Sequence, residues 1–254
     1  MPVLGCRLAA ALLVGALALT GCVEDDPNIN RAPGDSITAD EAQILADLLY
    51  RDAEKGGADV TVTAQYDDEA LLTLTGSIDF TAGEGTLDAN TTYTSGQPDE
   101  PRTVYFTRDR ILVGNLPDFS AAMAAAGRPD AQYLRTDLDG GVRLVDNIVG
   151  MLQRLGADAP DDPDNLIAAG YTWQGAGRID NVLTSTFSPG TSASTISVGV
   201  EDKLLHQFVA PAPGGDFPVT ITLTDHGERN IDLPPEEQVA DASAYPDVAA
   251  QFGF

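Results

Sequence analysis

The feature that most constrains how this 254-residue chain folds is a succession of segments in which apolar and polar residues alternate, joined by very short connections. Val60, Val62, Ala64 and Tyr66 alternate with Thr61, Thr63 and Gln65, and Asp67-Asp68 turns the chain. Leu72, Leu74, Gly76, Ile78 and Phe80 repeat the pattern with Thr73 and Thr75 opposite, and Leu87, Ala89, Thr91 and Tyr93 follow. A period of two places successive side chains on opposite faces, which is the signature of a half-buried strand. Residues 102–107 and 111–114, linked by Arg108-Asp109-Arg110, make a fourth and fifth strand. Parallel neighbours need a crossover of a dozen or more residues, so these strands form an antiparallel meander with one dry face and one wet face. The pattern resumes over residues 171–175, 179–187, 195–200, 204–209 and 217–224.

Helical signals frame the strands. Thr38-Ala39-Asp40-Glu41 is a capping box with Ile37 in the staple position. Ala42, Leu45, Leu48, Leu49 and Ala53 form one apolar stripe, Arg51 and Lys55 occupy the last turn, and Gly56-Gly57 ends the helix. Residues 119–126 are Ala-rich and end at Gly127, small-sided enough to serve as a mobile cover. Val142, Val145, Ile148, Val149, Leu152 and Leu155 recur at helical spacing, and residues 163–169 supply one or two further turns. Residues 236–254, after Leu233-Pro234-Pro235, are acidic and weakly patterned and read as a loop-like tail. About ten antiparallel strands must curl or close, and helices must cover the apolar face. The expected class is α+β, a large curved antiparallel sheet over a few helices.

The N-terminus carries an address. Arg7 precedes an apolar run from Leu8 to Leu19, and Leu19-Thr20-Gly21-Cys22 resembles the lipobox of bacterial lipoproteins at every position. The run is well short of the roughly 20 residues that span a bilayer. Residues 1–21 are then a lipoprotein signal peptide, with cleavage before a Cys22 alkylated by diacylglycerol. Residues 22–36, rich in Pro, Asn, Gly and acids, read as a flexible tether, and residues 37–235 as one domain. The expected location is the extracytoplasmic face of the cell membrane, held by the lipid on Cys22. With Cys6 removed and Cys22 acylated, no thiol or disulfide remains, and the exported domain relies on its hydrophobic core.

The chain has 14 Lys+Arg against 39 Asp+Glu, a formal charge of −25. That excludes nucleic acid, whose binding rests on neutralising phosphates, and opposes docking on an anionic membrane through a basic patch. Most of these carboxylates serve solubility, and a monomer is expected.

Catalytic signatures are missing. His206 and His226 stand far apart in sequence and belong to no zinc-ligand spacing, so both read as structural or solvated. Gly34-Asp35-Ser36-Ile37 resembles the nucleophile block of GDSL esterases, but Ser36 follows a tether and precedes a helix cap, where a rigidly placed nucleophile is not expected. Asp158, Asp161, Asp162, Asp164 and Asn165 lack the spacing, Gly and closing Glu of an EF-hand and read as a helix-initiating acidic loop. Asp137-Leu138-Asp139-Gly140-Gly141 is a turn, and Asn90-Thr91-Thr92 is a glycosylation sequon in form only. No enzyme activity, metal or cofactor is expected.

The lipobox and tether, the stretch from Asp40 to Tyr50 (DEAQILADLLY) with Gly56-Gly57, and the strand Leu72-Thr73-Leu74-Thr75-Gly76-Ser77-Ile78-Asp79-Phe80 together resemble the LppX/LprA/LprF/LprG lipoproteins of actinobacteria. So do Val219-Thr220-Ile221-Thr222-Leu223-Thr224-Asp225-His226-Gly227 and the closing Ile231-Asp232-Leu233-Pro234-Pro235. The resemblance covers roughly residues 36–235. It implies a LolA/LolB-like half-barrel wrapped around helices, whose apolar cavity takes acyl chains of lipids or lipoglycans. A transporter is a further partner to expect, as one that an envelope interaction protein would signal to.

Burial of a 16-carbon chain at about 0.8 kcal/mol per methylene gives an upper bound of about 13 kcal/mol, so no charged site is needed for affinity. The candidate lining is Val60, Val62, Leu72, Leu74, Ile78, Leu87 and Phe106 on the sheet, opposed by Leu45, Leu49, Ile148 and Leu152. The competing readings are a non-enzymatic envelope interaction protein with a filled core and, behind it, an esterase using Ser36.

Overall fold

Two meanders join edge to edge in one sheet. A computed structural model describes residues 31–65, 68–138, 143–190, 192–212 and 217–254. The first meander runs through β2 (Gly57–Gln65), β3 (Ala70–Asp79), β4 (Glu84–Tyr93), β5 (Glu100–Phe106), β6 (Arg110–Gly114) and β7 (Tyr133–Asp137). The second runs through β8 (Thr172–Ile179), β9 (Val182–Ser188), β10 (Thr195–Gly199), β11 (Leu205–Pro211) and β12 (Pro218–Thr224). β12 returns to pair antiparallel with β2, Ile221 opposite Val62, so the chain's two halves share one ladder. Short β1 (Asp35–Ser36) pairs with β8 at one edge, and β13 (Val239–Asp241) pairs parallel with β7 at the other, giving a 13-stranded sheet.

The alternation sorts residues as expected: Val60, Val62, Leu72, Leu74, Ile78 and Leu87 are buried, while Thr61, Leu71 and Thr75 face solvent. One core cluster contains both Trp173 of β8 and Val113 of β6, strands near opposite ends of the sheet order. The right-handed twist of each strand accumulates over a sheet of this size, so the sheet curls around the helices that share this core.

Filling the concave side are α1 (Ala39–Lys55) and α3 (Leu144–Leu152), and α4 (Pro163–Ala168) packs against α1 without a buried residue of its own. The capping box forms as read: the Glu41 backbone N–H donates to Thr38 Oγ1 at 3.2 Å, and the Thr38 N–H donates to Glu41 Oε2 at 2.8 Å. Gly56 closes α1 with φ of 94°, a conformation open to glycine. In α3, Ile148, Val149 and Leu152 have no exposure and pack on the sheet. The acidic loop does initiate a helix, since the Asp162 carboxylate caps α4 by accepting from the Asp164 N–H at 3.0 Å.

Three differences from the sequence reading have physical reasons. Asp180 and Asn181 both take positive φ, 45° and 69°, and make the tight hairpin turn between β8 and β9, so the strand read over 179–187 is two strands meeting there. Residues 35–36, read as the end of the tether, form β1. The segment read as a loop-like tail contains β13 and α5 (Pro246–Gln251). Val248, Ala249 and Ala240 join Phe119, Met123 and Leu134 in a second core cluster, and Arg135 of β7 grips Asp241 at 2.8 and 2.9 Å and Glu236 at 2.8 Å. That cluster also anchors α2 (Phe119–Ala125), the segment read as a mobile cover, through its buried Phe119 and Met123. Cys22, the signal peptide and residues 22–30 of the tether lie outside the described residues, as do Tyr66, the Asp67 turn position, the Asp139-Gly140-Gly141 turn and Val142.

Candidate functional site: chambers on either side of a packed spine

Helices α1 and α3 cross the middle of the concave face and leave space on either flank. Over β10 and β11 lies an apolar chamber of about 340 Å³, walled by Leu45, Leu48 and Leu49 of α1, Met151 of α3, Leu155, and Ile196, Leu205 and Phe208 of the sheet. Leu166 of α4 and Ala210 complete the walls, and Arg154, Asp161 and Tyr171 supply its polar atoms. Burial, and then the charge of Asp161, holds the Tyr171 phenol protonated above its ordinary range. Over β3–β6 lies a roofed chamber of about 640 Å³, lined by Leu72, Ala89, Val104, Ile111, Val113 and Val145. Its roof is the chain's own segment from Gln251 to Phe254, with Phe254 lying 4.8 Å from the Arg143 guanidinium and Phe252 edge-on to Phe119 at 5.5 Å. A third, polar recess of about 790 Å³ is bordered by Tyr50, Glu54, Arg108, Gln153 and Asp158. It shares Asp146 with the roofed chamber and Arg154 with the apolar one.

The residues proposed from sequence divide between spine and walls. Leu45 and Leu49 line the apolar chamber, and Leu72 lines the roofed one. Val60, Val62, Leu74, Ile78, Leu87, Phe106, Ile148 and Leu152 sit in the core cluster between the chambers and border none of the three spaces. A strand's inward face supplies both kinds of position, and only the placement of the helices decides which residues keep a neighbour.

A buried polar cluster stands behind the apolar chamber. Asp52, in the last turn of α1, is fully buried, and its Oδ1 accepts from the Leu205 N–H at 3.2 Å. His226 Nε2 lies 3.8 Å from the same oxygen, and neither Asp52 Oδ2 nor His226 Nε2 has a hydrogen-bond partner. The His226 ring meets His206 edge to face at 5.4 Å, and His206 bonds Asp202 at 2.9 Å. Burial pushes the Asp52 carboxyl up to about 8, against the Leu205 hydrogen bond that favours its charged form. Burial, together with the neighbouring His206, pushes His226 down. The two histidines, far apart in sequence, are therefore neighbours. The available signal was Asp52 itself, which continues the Leu45, Leu48, Leu49 stripe where an apolar residue belongs.

Among the described residues no group of three His, Cys, Asp or Glu side chains is placed to hold a metal ion, and no helix is long and apolar enough to cross a membrane. Ser36 lies exposed on edge strand β1, opposite Thr172.

No protein-family profile matches the sequence, and no curated protein matches it. Among solved structures the chain is similar to LprF from Mycobacterium bovis, with 14% identity and a TM-score of 0.47, over 79% of this chain and 98% of that one. It is also similar to an uncharacterized conserved protein from Thermus thermophilus, with 11% identity and a TM-score of 0.39, over 80% of this chain and 98% of that one. A LolA superfamily protein from Nitrosomonas europaea shows 11% identity and a TM-score of 0.25, over 81% of this chain and 99% of that one. The architecture expected from the alternating pattern, a large curved antiparallel sheet over a few helices, is the one observed.

Proposed function

We propose that this protein is a bacterial envelope lipoprotein, anchored through acylated Cys22, that binds and carries the acyl part of a lipid or lipoglycan. The observation that carries this reading is the apolar chamber of about 340 Å³, left open beside a core that is already complete at the spine. Empty apolar space forfeits dispersion contacts along its whole lining, so an acyl chain gains both burial and packing there. The reading needs no catalytic residue. It places the protein on the extracytoplasmic face of the membrane, where two or more acyl chains on the N-terminal cysteine make anchoring stable and one would be marginal. It also calls for a donor and an acceptor of the lipid, with a transporter as a fitting partner.

Native mass spectrometry on protein lacking residues 1–22, expressed with an export signal and purified without detergent, tests the proposal. The expected spectrum shows one acyl lipid per chain, recoverable by organic extraction. A single apo mass that does not shift on adding palmitate overturns it and favours the filled-core interaction protein.

A further inference from the structure

Arg154 differs from every other described arginine. Arg51, Arg102, Arg110, Arg135, Arg143 and Arg229 each have a carboxylate partner, and Arg108, Arg128 and Arg178 donate to backbone carbonyls. Arg31 is also engaged. Among the described residues, Arg154 is the one arginine whose guanidinium has neither a hydrogen bond nor an ion pair. It is unpaired in a chain with 39 acids and 14 bases, where a carboxylate partner is easily found. Glu54, Asp158 and Asp161 border the same two spaces and none engages it.

Its position gives that unspent charge a use. Arg154 lies two residues beyond the end of α3 and is held there by its N–H to Met151 O at 3.0 Å. Gln153, beside it, is tied by its side chain to the Thr107 carbonyl at 2.7 Å. On the other side, the Ala157 and Asp161 N–H groups bond to Leu49 O and Ala46 O of α1, at 3.1 and 2.9 Å. The backbone around Arg154 is therefore fixed while its side chain is exposed. That side chain borders both the apolar chamber and the open polar recess. An arginine stem lies naturally along apolar surface with its head in water, and its five donors suit a carboxylate or phosphate.

We infer that Arg154 is the head-group contact of the apolar chamber, which therefore takes a single-chain amphiphile with an anionic head, its tail among Leu45, Leu49, Leu205 and Phe208. This rests on the acyl-binding reading above and adds the class of head. The Tyr171 hydroxyl offers a second donor on the same lining, and the Asp161 carboxylate repels an anionic head, a repulsion that Arg154 offsets.

Equilibrium dialysis at pH 8 with palmitate, 1-palmitoyl lysophosphatidate and hexadecanol tests it on the parent and on Arg154→Gln and Arg154→Lys. Arg154→Gln is expected to weaken palmitate and lysophosphatidate about tenfold, the loss of roughly one charge-assisted bond, and to change hexadecanol less than twofold. Arg154→Lys is expected to recover part of the loss. The ratio of the two anions separates carboxylate from phosphate as the preferred head. Equal changes for all three ligands, or no change for any, overturn the inference and leave the acyl-binding reading standing. No binding of any ligand to the parent overturns both.

Discussion

The two chambers lie on the same face of the same sheet, yet they spend their polar groups differently. The roofed chamber is the larger, and each of its charged side chains is committed: Arg143 to Asp146 at 2.7 Å and to Thr136 at 2.8 Å, Arg102 to Glu100 at 3.3 Å. Its opening is covered by Phe252 and Phe254 of the same chain. The apolar chamber is half the volume, is walled chiefly by Leu, Ile and Phe, and has an uncommitted cation at its edge. The contrast teaches that volume alone does not mark a binding site. A space whose polar groups satisfy one another is finished structure, whereas one with apolar walls and an unspent charge still has something to bind.

Removing one arginine from each chamber should separate them most sharply. Asp146 is 2% exposed, and Arg143→Ala strips it of two charge-assisted bonds. Breaking a buried pair is costly, and a loss of about 3 kcal/mol is expected. Arg154→Ala, at an exposed site without partners, should stay within about 0.5 kcal/mol. Urea unfolding followed through Trp173, the chain's single tryptophan, measures both. Similar costs for the two would erase the distinction between committed and uncommitted charge.

Filling each chamber comes next. Ala210→Trp occupies the apolar chamber and is expected to weaken palmitate binding about 100-fold, about 2.7 kcal/mol. Ala89→Trp occupies the roofed chamber and should leave affinity within threefold. The reverse order would move the ligand to the other flank.

Much of this arrangement is legible in the sequence. Thr38 and Glu41 mark the start of α1, the Val-Thr alternation fixes the inward face of β2, and Ile148-Val149-Leu152 identify the buried side of α3. Each is a local pattern repeated over enough residues to show its period. The rest is not local. β13 has three residues and α5 six, too few to display a period, and their apolar residues find partners in Phe119 and Leu134, over a hundred positions earlier. Which inward-facing residues border open space depends on where α1 and α3 come to rest, so Leu72 and Leu74 look alike in sequence and differ in the fold. Arg154 stands out only against the completed tally of every other arginine's partner.

The buried cluster behind the apolar chamber gives a pH prediction with no counterpart in the roofed chamber. Asp52 in the folded chain holds its proton up to about 8, while the unfolded carboxyl releases it near 3.8. Across that window the folded state binds the extra proton, so this group's stabilisation is complete below the window and is lost as pH rises through about 8. His226 has the opposite sign: its folded value lies below 6.5, so its contribution is lost as pH falls beneath that value. Asp202, which burial would raise, is held lower by its bond to His206 and acts only on the acid limb. Above pH 6.5 the opposing contribution of His226 fades and that of Asp52 dominates the cluster. Stability should therefore fall from pH 6.5 to 8, by less than the roughly 2 kcal/mol that the limiting slope of about 1.4 kcal/mol per pH unit for one proton would give. Asp52→Asn keeps an acceptor for the Leu205 N–H and should flatten that fall; an unchanged slope would remove Asp52 as its source.

The smallest effect tests what the roof contributes. Phe254→Ala deletes the ring stacked 4.8 Å from Arg143 and thins the cover over the larger chamber. A cation–π contact at a partly exposed site is worth about 1 kcal/mol, and a loss of that size is expected in urea unfolding. The informative reading is stoichiometry. If committed charge is what closes the roofed chamber to ligands, Phe254→Ala still binds one palmitate, because Arg143, Asp146, Arg102 and Glu100 remain paired along its walls. A second bound palmitate would show that the aromatic roof alone keeps the two chambers different, and that the polar walls beneath it accept an acyl chain once uncovered.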